Sequence, residues 1–262
     1  MGRVGQIDTL LFDLDGTLYF KGKPIDGAID TIDKLRNAGY KMSFVTNTDG
    51  RTVEAMHRRI VDMGFKVPYE EIFTPITAAL TFLRQRPDKS CYCMLRDEVR
   101  ESLGDIKPDD KAPDYVLIGD FEDKASIDEF NKVFRFIMNG SQMLATTKSM
   151  FYFTQEGIHL HTGAFVKMYE EACGTKATLL GKPSGEFLRL ALDRLGSETD
   201  RTLVIGDDID VDLAGAKNLG SRSVLVRTGH FTEEALRQAV NKPDYIIDTV
   251  AGLTDILQMQ CD

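Results

Sequence analysis

The sequence predicts an α/β protein, a doubly wound parallel sheet carrying an inserted α/β domain. Three observations carry that prediction. Short apolar runs alternate with helical stretches at both ends of the chain, several of the runs end abruptly in carboxylates, hydroxyls or a lysine, and the middle of the chain has elements of its own.

Thr9-Leu10-Leu11-Phe12 is a short apolar run that stops at Asp13-Leu14-Asp15-Gly16-Thr17, as a buried parallel strand does where it leaves its sheet. Ala28 to Ala38 has helical periodicity through Ile29, Ile32 and Leu35 and stops at Gly39. Lys41 to Thr46 reads as the next strand, closed by Thr46 and Asn47, and a helix follows from Thr52 to Met63. Residues 76–178 then contribute a strand at Tyr115-Val116-Leu117-Ile118, a helix from Ile127 to Met138, and strands near Gln142 to Ala145 and Met150 to Phe153. The alternation resumes with a strand from Ala177 to Leu180, a helix from Glu186 to Leu195, and a strand at Thr202-Leu203-Val204-Ile205. A helix through Ala214 to Asn218 and strands at Ser223 to Val226 and Tyr245 to Ile247 complete the chain.

Composition agrees with one core plus one insert. At 262 residues, with 42% apolar and 28% charged, the chain is long for a single compact α/β unit. The expected division is a core of residues 1–75 and 179–262 and an insert of residues 76–178. A net charge of −9, with no long Lys/Arg run, argues against nucleic acid and anionic membranes as partners. No stretch approaches the roughly 20 apolar residues of a membrane span, and the N-terminus lacks a signal-peptide core, so a soluble, cytoplasmic protein is expected. Cys91, Cys93, Cys173 and Cys261 lack zinc-ligand spacing and are expected to be reduced thiols, with Cys91 and Cys93 packed on one face of a strand.

Ligands of open parallel sheets bind beyond the carboxyl ends of the strands, near the point where strand order reverses. Four such ends carry chemically useful residues: Asp13 and Asp15, Thr46 and Asn47, Lys182, and Asp207 with Asp208. Each has a plain structural explanation when taken alone. Asp-x-Asp-Gly is a turn signal, the acids from Asp207 to Asp212 suit a helix N-terminus, and Lys182 before Pro183 suits a loop. Together, in order and each at a strand end, they resemble the four signatures of the haloacid dehalogenase superfamily of phosphatases. These are Asp13-Leu14-Asp15-Gly16-Thr17-Leu18, Val45-Thr46-Asn47, Gly181-Lys182-Pro183, and Gly206-Asp207-Asp208-Ile209-Asp210-Val211-Asp212.

That resemblance implies a Rossmann-like core and a Mg²⁺-dependent phosphatase acting on a small phosphate monoester. A dianionic phosphate repels a carboxylate nucleophile unless cations intervene, and Mg²⁺ takes hard oxygen ligands. Asp13 is the expected nucleophile, forming an aspartyl-phosphate, and Asp15 the general acid and base. The carboxylates of Asp13 and Asp207 and the main-chain carbonyl of Asp15 would bind the metal, with Asp208 and Asp212 orienting its waters. Lys182, Thr46 and Asn47 would bind the phosphate. Phosphoryl transfer to an alcohol acceptor and a non-catalytic regulatory role are the alternatives. Residues 16–45 leave no room for a helical cap between the first two signatures, so the insert is similar to the C2-type cap of subfamily IIA. That branch is typified by nitrophenyl phosphatases, NagD-like nucleotidases and the phospholysine phosphohistidine inorganic pyrophosphate phosphatase group, and Gly163-Ala164-Phe165-Val166-Lys167 through Ala172-Cys173-Gly174 to Gly181-Lys182-Pro183 most resembles that last group and its haloacid dehalogenase-like hydrolase domain-containing relatives. The cap of this branch implies control of substrate choice and a possible homodimer.

Elsewhere the reading is structural. His159 and His161 have no third metal ligand at suitable spacing and are assigned surface or packing roles; His57 and His230 read as ordinary helix and loop residues. Met150-Phe151-Tyr152-Phe153 reads as part of the insert's own core.

Overall fold

The computed structural model describes residues 6–121, 126–154 and 157–258. The chain forms two compact units, one of Met1–Thr46, Glu54–Phe73 and Lys182–Asp262, the other of Asn47–Val53 and Thr74–Gly181.

The first unit is built on a six-stranded sheet in the order Tyr245–Ile247, Arg222–Val226, Thr202–Gly206, Thr9–Phe12, Lys41–Val45, Ile72–Phe73. Every neighbouring pair is parallel. The two central strands, Thr9–Phe12 and Thr202–Gly206, are buried along their whole length, which is why their sequences run apolar without alternation after the opening Thr9 and Thr202. Strand order reverses between these two, with Leu10 opposite Leu203 and Phe12 opposite Ile205. The ladder runs on past the strand, since Asp13 N donates to Ile205 O at 2.8 Å. Between Thr9–Phe12 and Lys41–Val45 the chain holds only a two-residue-per-strand hairpin, Tyr19–Phe20 with Lys23–Pro24, and the helix Ala28–Asn37.

Helices cover this sheet through residues spaced to share a face. Gly185–Leu195 starts at Ser184, whose Oγ accepts from Phe187 N, and ends at Gly196 in the left-handed conformation. It buries Phe187, Leu188, Leu190, Ala191 and Leu192, and Phe187 lies 5.2 Å from the Phe73 ring. Each large side chain buried in this way contributes about 1.5–3 kcal/mol.

The second unit has a four-stranded sheet in the order Thr178–Leu179, Gln142–Ala145, Tyr115–Ile118, Cys91–Met94, again all parallel. Its core includes Met94, Val116, Ile118, Val133, Phe136, Val166 and Tyr169, drawn from the sheet and the helices Ile127–Met138 and Thr162–Cys173. Ser126 begins the first of these helices by accepting from Glu129 N at 3.1 Å, while Glu129's own carboxylate accepts from the Tyr92 hydroxyl.

Phe151–Thr154 pairs antiparallel with Gly157–Leu160 in a separate two-stranded sheet. Here the sequence expectation of a buried cluster at Met150-Phe151-Tyr152-Phe153 is overturned for its first two residues, because Met150 is 47% and Phe151 52% exposed, while Tyr152 is half-buried and the side chain of Phe153 lies outside the described residues. The reason is pairing. Phe151 opposes Leu160 and shares its outward face, whereas Tyr152 opposes His159 and lies 5.3 Å from the His161 ring. Cys91 and Cys93 share a strand with their Sγ atoms 3.7 Å apart, and both are free, as is Cys173; Cys261 lies outside the described residues. Among the described residues no helix is long and apolar enough to cross a membrane.

Candidate active site

Asp13 and Asp207 each follow directly on one of the two central strands, so parallel pairing sets them side by side at the carboxyl edge of the sheet. Past Asp207 the chain enters a wide π-type turn, Ile209–Leu213, which returns Asp212 toward the same place. One carboxylate oxygen from each of Asp13, Asp207 and Asp212 lies within 4.8 Å of the others. Lys182 Nζ donates to Asp13 Oδ1, and to Asp212 Oδ1 at 2.7 Å. All four side chains are buried.

Three carboxylates facing one ammonium leave an excess of negative charge in a site largely shielded from water. Burial pushes the Asp13 carboxyl up to about 6, with Asp207 reinforcing the rise and Lys182 opposing it. Asp212 is likewise pushed up to about 6, by burial and by Asp13 against Lys182. Asp207 is raised by burial and by Asp212, against the hydrogen bonds of His230. Lys182 is pulled down by burial but raised overall by Asp13 and Asp212, so it remains an ammonium.

This donor set fits a divalent cation. The oxygens are hard and anionic, and a 2+ charge would balance the excess. The surrounding backbone keeps the site open. A Cβ on Gly16 (φ +99) or on Gly229 (φ +59) would collide with the Asp207 carboxylate, and one on Gly206 would collide with that of Asp212. Both positive φ angles also favour glycine.

The remaining sequence-predicted residues take different positions. Asp15 is exposed, two residues beyond Asp13. Partial desolvation raises its carboxyl, against the charges of Arg59 and His230. Asp208 turns its carboxylate to Asp210 N (2.8 Å) and Val211 N (3.1 Å), capping the π-type turn, while its own N–H donates to Asp212 Oδ2 at 3.1 Å. Thr46 is buried and extends the ladder, its N–H donating to Phe73 O at 3.1 Å. Asn47 opens the segment that clusters with the second unit.

Two residues at the site were not singled out in the sequence. Thr17 Oγ1 lies 3.2 Å from both Asp13 Oδ2 and Asp207 Oδ1, within donating distance of either. His230, read from sequence as an ordinary loop residue, donates its main-chain N–H to Asp207 Oδ2 at 2.6 Å and sets its ring Nδ1 3.1 Å from the same oxygen. The available signal was the position of Thr228-Gly229-His230, just past the carboxyl end of Arg222–Val226. His57 has a packing role, its Nε2 3.0 Å from Val67 O.

Residues 10–107 match the model described as haloacid dehalogenase-like hydrolase, and residues 179–253 the one described as HAD-hydrolase-like. The phospholysine phosphohistidine inorganic pyrophosphate phosphatase of Xenopus laevis is 31% identical over 258 residues, covering 96% of this chain and 94% of that protein. The haloacid dehalogenase-like hydrolase domain-containing protein 2 of Bos taurus is 32% identical over 240 residues, covering 92% and 91%. Among solved structures, the p-nitrophenyl phosphatase from Archaeoglobus fulgidus superposes with a TM-score of 0.88 at 27% identity, covering 96% of this chain and all of that one. NagD from E. coli K-12, at 24% identity and a TM-score of 0.86 over 94% and 98% of the two chains, shares the fold. The chain belongs to the haloacid dehalogenase-like hydrolase family. Within it the chain falls in subfamily IIA, and it is an enzyme of the phosphatase kind.

Proposed function

We propose that the protein is a Mg²⁺-dependent phosphatase that hydrolyses a small phosphate monoester through an aspartyl-phosphate on Asp13. The observation that carries this reading is the convergence of Asp13, Asp207 and Asp212 with Lys182 Nζ at the carboxyl edge of the central strands.

Asp13 attacks phosphorus as the ester P–O bond breaks, and Asp15 gives its proton to the departing oxygen. The ionised Asp15 then takes a proton from water as that water attacks the phosphorus, and the bond to Asp13 breaks to release phosphate. Lys182 holds the Asp13 carboxylate and opposes the charge of the incoming phosphate, while Thr46 and Asn47 offer it hydrogen-bond donors. Mg²⁺, held by the carboxylates of Asp13 and Asp207 and the Asp15 carbonyl with Asp212 close by, would supply the positive charge that lets a carboxylate approach a dianion. Asp208 acts by fixing the turn that carries Asp212.

Turnover of nitrophenyl phosphate tests the reading. Excess EDTA should abolish it and Mg²⁺ restore it, and Asp13→Asn should lower kcat by about 10³-fold or more. Full activity in EDTA would remove the metal from the scheme, and an Asp13→Asn variant working at the parent rate would remove the nucleophile.

A further inference from the structure

Asp49 has no part in the chemistry above, yet the residue is only 2% exposed and its carboxylate is closely surrounded. Three elements of the second unit converge on Asp49 Oδ2. Asp120 N, beyond the strand Tyr115–Ile118, donates at 3.1 Å; Thr146 Oγ1, beyond Gln142–Ala145, at 2.5 Å; and Thr162 Oγ1, opening Thr162–Cys173, at 3.5 Å. His161 Nε2 stands 3.8 Å from Oδ1. Thr146 Oγ1 has one proton and a second acceptor, Ile118 O, at 3.3 Å, so the shorter bond to Asp49 is the one favoured. A buried carboxylate is costly unless such donors satisfy it, and this one lies two residues beyond Asn47.

Thr146 is in contact on its other side too. Its carbonyl oxygen and Asn47 Oδ1 both crowd the site where Gly181 would carry a Cβ, the Asn47 oxygen at 3.0 Å from it. Gly181 immediately precedes Lys182. Thr146 therefore holds the Asn47–Val53 segment through Asp49 and meets the chain leading to Lys182 through Gly181.

We propose that Asp49 is a positioning residue which, by tying the Asn47–Val53 segment to Thr146, holds Asn47 against Gly181 and so sets the hydrogen-bond donor that the phosphatase reading assigns to Asn47. The proposal rests on the phosphatase reading. Asp49 itself does not touch substrate.

The test is binding of inorganic phosphate, measured by calorimetry in excess Mg²⁺, alongside KM for nitrophenyl phosphate. Thr146→Val removes the hydroxyl and keeps the shape, and Asp49→Asn removes the charge. In each, phosphate affinity should fall about tenfold, the worth of one charge-assisted hydrogen bond, with KM rising in step. Thr146→Ser keeps the donor and should return both values to within about twofold of the parent, with Mg²⁺ affinity unchanged throughout. A purely structural role would reduce the folded fraction, lowering apparent kcat while the folded protein kept its phosphate affinity and KM. That result overturns the proposal, as does unchanged phosphate affinity in both variants. If Asp49→Asn does not fold, the Thr146→Val and Thr146→Ser pair decides alone. Failure of the phosphatase reading looks different: the parent would bind no phosphate and turn over no ester, and the positioning role would fall with it.

Discussion

Asp15 has two tasks at different times in the proposed cycle, which makes it the residue whose replacement is most informative. Asp15→Asn keeps the shape but neither gives a proton to an alkoxide nor takes one from water. Nitrophenolate leaves with little protonation, so rapid mixing of this variant with nitrophenyl phosphate should give a burst of nitrophenolate and then slow turnover, with phosphate retained on Asp13. Alkyl phosphates should lose more rate and show no burst; parental turnover of both ester types would remove Asp15 from the role. Gly229 gives a second prediction. Its φ of +59 and the collision of any Cβ with the Asp207 carboxylate mean that Gly229→Ala should weaken Mg²⁺ binding about tenfold or more by calorimetry. Gly39 is the control, having φ +86 but open space where its Cβ would stand. Gly39→Ala should cost about 1 kcal/mol of stability or more and leave Mg²⁺ affinity alone.

Between residue and unit, the ends of strands and helices are held by short polar contacts. Asp114, just before the strand Tyr115–Ile118, accepts from Lys89 Nζ at 2.7 Å, Ser90 N at 2.9 Å and Ser90 Oγ at 3.1 Å. The Lys89 bond, then those of Ser90, hold its carboxyl down to about 2 from an ordinary 3.8. A carboxyl depressed on folding contributes stability above its unfolded value and loses it as pH falls through its folded value. The parent should therefore be more stable than Asp114→Asn by urea unfolding above about pH 4, and the gap should close as pH approaches 2. A gap that stayed constant down to pH 2 would show that the amide loses packing and not charge.

Over the whole chain, each compact unit has its own parallel sheet and its own buried side chains. The oxygens suited to a divalent cation, on Asp13, Asp207 and Asp212, all belong to the first unit. Binding to the folded form alone stabilises by mass action, about 2.7 kcal/mol at a hundred times Kd. Hydrogen exchange in saturating Mg²⁺ should accordingly show added protection in Thr9–Phe12 and Thr202–Gly206, and much less in Tyr115–Ile118. Equal added protection in both sheets would mean that the two units open as one.

Much of the fold was legible in the sequence because buried parallel strands are short, apolar and sharply ended. Thr9–Phe12, Tyr115–Ile118 and Tyr245–Ile247 fall where their patterns placed them, as does the helix Ile127–Met138. Elements with weaker patterns were not legible, among them the helix Thr162–Cys173 and the hairpin strand Gly157–Leu160. The carboxylates of the site could be named because spacing and residue type carry chemistry along the chain. Partners distant in sequence could not. That Thr17 lies between Asp13 and Asp207, that His230 reaches Asp207, that Asp208 caps a turn while Asp212 meets Lys182, and that Asp49 is clasped by Thr146 are facts of three-dimensional approach. Local sequence sets which groups a segment can offer and the face it offers them on. Only strand order, register and close backbone packing decide which groups meet.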